Sequence, residues 1–235
     1  MEHNKIIKLE YESLGFRVAF SVIIDEKSNI LEKYIPALNP TEIIRLERYK
    51  LPKPQNNFCL GRYAAKQAIN LMLEQNINFD AILVDNGVFG FPVLQIPQNN
   101  NLQISIAHTD GAAAAICFDS KFMIGLDMEP SDSSIADSIR TQLSGKEMNL
   151  FRDFDSDEYE FYLRLWTAKE SLGKALKTGL GIPMKLYDIT SIQQKDDSYI
   201  IDFGNFDSFQ CISFNIQNNL FAISYPKKVI INSIP

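Results

Sequence analysis

The chain of 235 residues contains little cysteine and little histidine. Its three cysteines, Cys59, Cys117 and Cys211, are scattered, and their spacing matches neither a metal site nor a disulfide framework. A chain with these features is typical of the reducing cytoplasm. The two histidines, His3 and His108, are too few and too far apart to predict a metal site built on histidine.

Long apolar runs and excess positive charge are also missing. No apolar stretch approaches the length of a membrane-spanning helix, and the N-terminus lacks the basic-then-apolar pattern of a signal peptide. Lysine and arginine number 23 against 29 acidic residues, a net charge of −6, which argues against bulk nucleic-acid binding. We therefore expect a cytoplasmic protein with neither a membrane nor a nucleic acid as partner.

The hydrophobic content of 46% supports a substantial core, in one compact unit or in two halves of roughly 110 to 120 residues each. Periodicity predicts about one long helix and several strands in each half. This arrangement suggests an internal duplication of an α+β unit, although no clear sequence repeat is visible. In the first half we predict a frayed terminus around His3, a strand at 17–25, helices from Asn39 to Tyr49 and at 58–75, and a hairpin turning at Asp110-Gly111.

In the second half, an acidic strand precedes a long helix. Met123 to Glu129 alternates so that Asp127 and Glu129 point one way, while Ile124, Leu126 and Met128 point the other way. The helix is expected to begin near Asp155 or Ser156 and to end at Gly179, Gly181 and Pro183. Four more strands are predicted after it, at 185–190, 199–203, 210–216 and 220–225.

Within the long helix, Trp166, Glu170 and Lys174 lie four residues apart and share one face, with Lys169 beside them. If strand and helix are neighbours, Asp127, Glu129 and Glu170 form a carboxylate cluster rimmed by lysines. Such a cluster suits a hard divalent cation and a phosphate. Spacing alone leaves a second interpretation open, in which these are ordinary surface pairs on a helix beside an acidic strand.

The segment from Arg45 to Lys66 is basic, unlike the chain as a whole. It contains six cations, namely Arg45, Arg48, Lys50, Lys53, Arg62 and Lys66, and Glu47 is its one acid. Either this is a solvated basic face, or it forms a local anion site. His108, beside Thr109 at a strand end, is likewise either a structural hydrogen-bonding group or a phosphate contact.

Two blocks of sequence resemble the signature of the 4'-phosphopantetheinyl transferases. The first is Ile124-Gly-Leu-Asp127, and the second, 38 residues later, is Trp166-Thr-Ala-Lys-Glu-Ser-Leu-Gly-Lys174. Supporting similarity extends from about Asn39 to Lys185 and includes the helix around Leu60-Gly-Arg62 and the segment ending at His108. The total length resembles the long, Sfp-type branch of the family.

The resemblance implies an α+β fold with two similar α/β halves, 1–122 and 123–235, and coenzyme A in the cleft between them. It implies transfer of the phosphopantetheine arm of coenzyme A to a serine of an apo acyl or peptidyl carrier protein, releasing adenosine 3',5'-bisphosphate. The first half would contact the nucleotide, and the second would hold the metal and the catalytic residues. A monomer is expected.

The same resemblance assigns roles to individual residues. Asp127, Glu129 and Glu170 would bind Mg²⁺, and whether Mn²⁺ can replace it is left open. The catalytic set would be Glu170, which accepts the serine proton directly or through water, Lys174, which binds phosphate and stabilises the transition state, and Asp127. The predicted coenzyme A ligands are His108 at the 3'-phosphate, Lys174, Lys169 in an assisting role and, as weaker matches, Arg62 and Arg45.

Three positions depart from the family pattern. Leu126 replaces isoleucine or valine, a change that conserves volume. Phe91 stands where a lysine is frequent, and Ala107 stands where a serine is frequent, so one cation and one hydroxyl are missing. Phe91 and Ala107 support one alternative to the transferase, a protein that binds coenzyme A without turning it over. A second alternative is a metal-dependent phosphohydrolase using the same carboxylates.

Overall fold

The computed structural model describes residues 1–25, 29–87, 90–96, 101–131, 136–154, 157–178 and 181–231. The chain forms two compact units: an N-terminal unit of Met1–Phe122 with Val229–Pro235, and a C-terminal unit of Met123–Lys228. The predicted halves were 1–122 and 123–235, and the described residues 229–231 belong to the first unit instead of the second. The roles assigned to the two halves stay predictions.

The described residues of the N-terminal unit form an antiparallel sheet beside a long helix. The elements are β1 (Glu2–Tyr11), β2 (Leu14–Ile24), α1 (Ile30–Tyr34), α2 (Pro40–Leu46), α3 (Pro52–Leu73), β3 (Leu83–Asn86), β4 (Pro92–Gln95), β5 (Leu102–Thr109) and β6 (Ala112–Asp119). The sheet order is β12-β1-β2-β6-β5, where β12 is Ile230–Ile231, and β3 and β4 form a separate hairpin. Small residues on facing elements, such as Ala64 on α3 and Ala115 on β6, let helix and sheet pack closely in the core.

The C-terminal unit repeats this arrangement. Its elements are β7 (Gly125–Pro130), α4 (Ala136–Arg140), α5 (Gly145–Asn149), α6 (Glu158–Ala175), β8 (Ile189–Lys195), β9 (Ser198–Phe203), β10 (Phe209–Ile216) and β11 (Asn219–Pro226). The sheet order is β7-β11-β10-β9-β8, and α6 packs against β7, β10 and β11. The fold is therefore α+β, as predicted.

Local sequence explains where these elements begin and turn. Asn39 caps α2 in a reciprocal capping box with Glu42, and Ser144 caps α5 in the same way with Glu147. The predicted turn at Asp110-Gly111 joins β5 to β6, and Gly111 takes a positive φ of 71°. No helix in the described part of the chain combines the length and apolar character that crossing a membrane requires.

Some predicted elements are wrong. The terminus around His3 is not frayed, because Glu2–Tyr11 pairs with β2 along its whole length. Met184–Tyr187 is a short 3-10 helix, so the strand predicted at 185–190 begins only at Ile189. The N-cap of α6 is Asp157, whose side chain accepts the Glu160 N–H. The alternatives Asp155 and Ser156, and the predicted stop at Gly179, lie outside the described residues.

Candidate active site

Helix α6 presents one accessible stripe. From Phe161 to Ala175 every residue is buried except Trp166, Glu170 and Lys174, which are half-buried. The three share one face because their four-residue spacing nearly matches the helical repeat. The predicted stripe is thus present.

Strand β7 lies directly against this helix. An added Cβ at Gly125 would stand 2.0 Å from the Ser171 carbonyl oxygen and 2.4 Å from the Ala175 nitrogen, so only glycine fits. The residues on the other face of β7 are apolar and fully buried, with Leu126 at 0% and Met128 at 1% exposure. Gly125 therefore determines how closely the acidic strand approaches the stripe on α6.

The close approach brings Asp127 to Lys174. The lysine Nζ donates to Asp127 Oδ1 at 2.7 Å, while Asp127 Oδ2 is buried and accepts no hydrogen bond from any described residue. Glu129 Oε1 accepts the indole N–H of Trp166 at 3.3 Å. An unsatisfied buried carboxylate oxygen is costly, so this arrangement favours a further cationic or hydrogen-bonding partner.

Burial raises the pKa of all three carboxylates, and neighbouring carboxylates add to the effect at Glu129 and Glu170. Burial, then the nearby charges of Asp127 and Glu170, raise the pKa of Glu129 to about 7. Burial, then Asp127, raise the pKa of Glu170 to about 7 as well. Burial also raises the pKa of Asp127, because it outweighs the opposing effect of Lys174. The site holds more negative charge than its one lysine can balance.

The donor set has the chemistry of a site for a hard divalent cation, since such ions prefer carboxylate oxygens. In the described ranges, however, no three His, Cys, Asp or Glu side chains converge as a ready-made metal site. One oxygen of Asp127 is already paired with Lys174, and Glu129 is held by Trp166. The groups fit a cation in type and charge, although they are not preassembled around one.

The predicted role of Lys169 is wrong. Its side chain is fully buried, and its ammonium lies 2.7 Å from Glu147 Oε1 on the core side of α6. The same glutamate accepts backbone N–H groups from Ser144 and Ile189. Lys169 follows Ala168 into the core rather than lying beside Glu170, so it cannot reach a phosphate in the accessible stripe.

The N-terminal unit contains a separate pocket of about 570 Å³. Phe58, Gly61, Arg62, Asn86, Ile106 and His108 are among the residues that line it. Two predicted ligands, Arg62 and His108, are thus brought together. Arg62 is 7% exposed, donates to Asn86 Oδ1 at 2.9 Å and lies over the Phe58 ring.

Arg45 does not line this pocket, because its guanidinium forms an ion pair with Asp85. Ala107 is 1% exposed and lies on the opposite face of β5 from Ile106 and His108, which line the pocket. A serine hydroxyl at that position would therefore point away from the pocket. Phe91 packs against Gly87, while its neighbours Gly90 and Pro92 line the pocket.

Sequence reasoning missed the two buried glutamate–lysine pairs. Glu42 pairs with Lys66 at 2.5 Å in the N-terminal unit, and Glu147 pairs with Lys169 in the other. A signal for both was present: each glutamate closes a capping box, and a lysine follows in the next long helix within an Ala-Lys-Gln or Ala-Lys-Glu segment. That repeat was also the missing sequence evidence for duplication.

Residues 123–226 match the family model described as the 4'-phosphopantetheinyl transferase superfamily. The match covers nearly all of the C-terminal unit, Met123–Lys228. All members of the acidic site, namely Asp127, Glu129, Glu170 and Lys174, lie inside the matched residues, whereas Arg62 and His108 lie outside them. The assignment to the long, Sfp-type branch therefore stays a prediction.

Superfamily proteins about half as long as this chain are similar to it. The holo-(acyl-carrier-protein) synthase of Mycoplasma mycoides is 27% identical over 116 residues, which cover 49% of this chain and 96% of that protein. The solved structure of the Bacillus anthracis synthase with coenzyme A has 22% identity and a TM-score of 0.40, covering 49% of this chain and 99% of that one. For the Helicobacter pylori synthase with coenzyme A, the values are 19%, 0.36, 44% and 99%.

Proposed function

We propose that this protein is an enzyme that transfers the 4'-phosphopantetheine arm of coenzyme A to a serine of an apo acyl or peptidyl carrier protein. The observation that carries the proposal is the accessible stripe of Trp166, Glu170 and Lys174 beside Asp127 and Glu129. The match of these residues to the family model and the name of the Mycoplasma relative support it.

In this reaction the serine oxygen forms a bond to the pantetheine-side phosphorus, and the bond from that phosphorus to the bridging oxygen breaks. The bridging oxygen leaves with adenosine 3',5'-bisphosphate. Glu170, on the accessible face of α6, accepts the serine proton as general base. Lys174 balances the charge of the phosphates, a contribution typical of preorganised cations.

Asp127, Glu129 and Glu170 are the residues that would hold Mg²⁺, whose role would be to bind and orient the pyrophosphate. The buried, unpartnered Asp127 Oδ2 and the raised pKa values of all three carboxylates support this assignment. The pocket lined by Arg62 and His108 is proposed to take the nucleotide end of coenzyme A, since both side chains suit a phosphate. Cytoplasmic location and a monomeric state remain predictions.

The test is the intact mass of an apo acyl carrier protein and an apo peptidyl carrier protein after incubation with this protein, coenzyme A and Mg²⁺. We expect a gain of one phosphopantetheine on the serine, lost when a chelator is added. Release of adenosine bisphosphate without carrier would instead indicate a phosphohydrolase. Coenzyme A binding without any transfer to several carriers would reject the proposal in favour of a binding protein.

A further inference from the structure

The carboxylate of Glu42 lies between two cations in the core of the N-terminal unit. Lys66 Nζ is 2.5 Å from Glu42 Oε2, and Arg62 Nε is 3.7 Å from Glu42 Oε1. Glu42 and Lys66 are both fully buried. Lys66 therefore makes the close contact, while Arg62 is held only loosely by the same carboxylate.

Backbone contacts fix this arrangement. Glu42 Oε1 accepts the Val84 N–H at 2.9 Å, and Oε2 accepts the Asn39 N–H at 2.8 Å. Lys66 Nζ also donates to the Ala37 carbonyl oxygen at 2.8 Å. Burial lowers the pKa of Lys66, but the adjacent Glu42 opposes that effect, and both acceptors around Nζ suit an ammonium.

The cluster has one negative and two positive charges, so one positive charge is not balanced inside it. That charge belongs to Arg62, which lines the pocket and whose Nε is buried without a hydrogen-bond partner among the described residues. A buried guanidinium with spare donors is a strong site for an anion. Lys66 itself has its ammonium in the core and does not line the pocket.

The C-terminal unit provides an internal reference. Glu147 and Lys169 form the same buried pair, but the residue four positions before Lys169 is Leu165, whereas Arg62 stands four positions before Lys66. The second cation is thus particular to the unit with the pocket. A glutamate–lysine pair that only stabilised the fold would not need this second cation.

We propose that Lys66 is a positioning residue for the pocket: by neutralising Glu42, it keeps the charge of Arg62 available to a phosphate group bound there. This inference rests on the proposed function, which puts the nucleotide end of coenzyme A in the pocket. Without Lys66, Glu42 becomes an unshared partner for Arg62 and withdraws the guanidinium from the ligand.

The experiment measures the affinity of adenosine 3',5'-bisphosphate by calorimetry for the wild type, Lys66→Met, Lys169→Met and the double variant Glu42→Gln/Lys66→Met. We expect Lys66→Met to weaken binding by about tenfold, the scale of one charge-assisted contact. Lys169→Met should lose similar thermal stability yet keep its affinity. The double variant should recover to within about threefold of wild type, because no carboxylate then competes for Arg62.

Activity adds a second measurement. Lys66→Met should raise the KM for coenzyme A while leaving kcat at saturation unchanged, since Lys66 does not touch the reacting groups. If Lys66→Met does not fold, Lys66→Gln keeps a hydrogen-bond donor beside Glu42 without the charge, and should weaken binding in the same way.

Unchanged affinity in the Lys66 variants, or a double variant as weak as the single one, would overturn the role of Lys66 while the transferase proposal stands. Failure of the wild type to bind the nucleotide would overturn the pocket assignment and this inference together. Carrier modification would then still decide the transferase proposal independently.

Discussion

The two units share a frame but carry different sites. Each contains a strand, a capped short helix, a long helix and then four antiparallel strands: β2, α2, α3 and β3–β6 in one, and β7, α5, α6 and β8–β11 in the other. In each, the capping-box glutamate pairs with a buried lysine of the long helix and accepts a backbone N–H, from Val84 or from Ile189. The buried glutamate–lysine pairs are thus part of the architecture that the two units share.

Among the described residues, the acidic site belongs to the C-terminal unit and has no charged counterpart at the corresponding positions of the N-terminal unit. Asp127 pairs with Ala222, the fourth residue of β11. Ala115, the fourth residue of β6, pairs with Ser21, so Ser21 corresponds to Asp127. By the same register, Ile23 corresponds to Glu129. Counting from the buried lysines, Gln67 and Leu71 correspond to Glu170 and Lys174. The N-terminal unit therefore has the scaffold of the site without its charges.

The pocket, in contrast, belongs to the N-terminal unit, and the corresponding place in the C-terminal unit is filled. Gly61 lines the pocket together with Ile106 and His108, and an added Cβ there would already lie 3.2 Å from Ile106 Cγ2. The corresponding residue of α6 is Arg164, whose guanidinium is buried and donates to Ser213 and Asn215. Asn215 is the penultimate residue of β10, as His108 is of β5. The same arrangement of elements therefore has a pocket beside Gly61 in the N-terminal unit and a filled, hydrogen-bonded core around Arg164 in the C-terminal unit.

The largest expected effect distinguishes Glu170 on α6 from Gln67, the corresponding residue on α3. Glu170→Gln should lower the rate of carrier modification by about 10³-fold or more, because it removes the proton acceptor and one proposed metal ligand. The matched variant Gln67→Glu, at the corresponding place in the N-terminal unit, should leave the rate unchanged. Both are measured by intact mass over time, with circular dichroism to verify folding. Near-normal transfer by Glu170→Gln would remove Glu170 from the mechanism.

Gly125→Ala should be the most damaging change to stability. Its methyl group would overlap the backbone of α6, so we expect a loss of about 3 kcal/mol in the free energy of unfolding. Ala19, the corresponding residue of β2, already carries a Cβ, and Ala19→Gly should cost only about 1 kcal/mol. Urea unfolding of the two variants tests this. Equal losses would mean that β7 lies no closer to its helix than β2 does.

Filling the pocket should be the next largest effect. Gly61→Leu occupies the space that Arg164 fills in the other unit without adding charge, and it should raise the KM for coenzyme A by about tenfold. The effect on kcat should be smaller, since the acidic site is unchanged. Thr167→Val, in the core of α6, serves as a control for general repacking of a long helix. An unchanged KM in Gly61→Leu would place the nucleotide outside this pocket.

The sequence predicts the features that depend on local interactions, and it misses features that depend on contacts between distant parts of the chain. Alternation and helical spacing identified β7, the stripe on α6 and the hairpin at Gly111, because these patterns are local. The strand around His3 was missed because its pairing with β2 depends on a neighbour rather than on its own alternation.

Lys169 shows why the site could be predicted only in part. Its position one residue before Glu170 allows either side of the helix, and the decision depends on Glu147, which reaches it from another element. The orientation of Arg45 likewise depends on another element, because its partner Asp85 lies on β3, far from Arg45 in the sequence. Charge runs in a sequence show which groups are available, but tertiary pairing decides which of them remain for a ligand.

The smallest expected effect concerns pH. The pKa of Glu129 is raised from 4.5 to about 7 in the folded protein, so the folded state binds this proton more tightly than the unfolded state does. The resulting stability is fully present below about pH 4.5 and is lost as the pH rises through about 7. Without added metal, Glu129→Gln should therefore raise the Tm by about 2 °C at pH 8 and by less at pH 5.

The N-terminal unit has Ile23 at the corresponding position, so this pH response should belong to the C-terminal unit alone. Glu32→Gln, an exposed change on α1, controls for the loss of one surface charge. Mg²⁺ should reverse the order at pH 8, because it stabilises only a protein that keeps all three carboxylates. A lower Tm for Glu129→Gln at pH 8 without metal would show that the hydrogen bond from Trp166 outweighs the repulsion among the carboxylates.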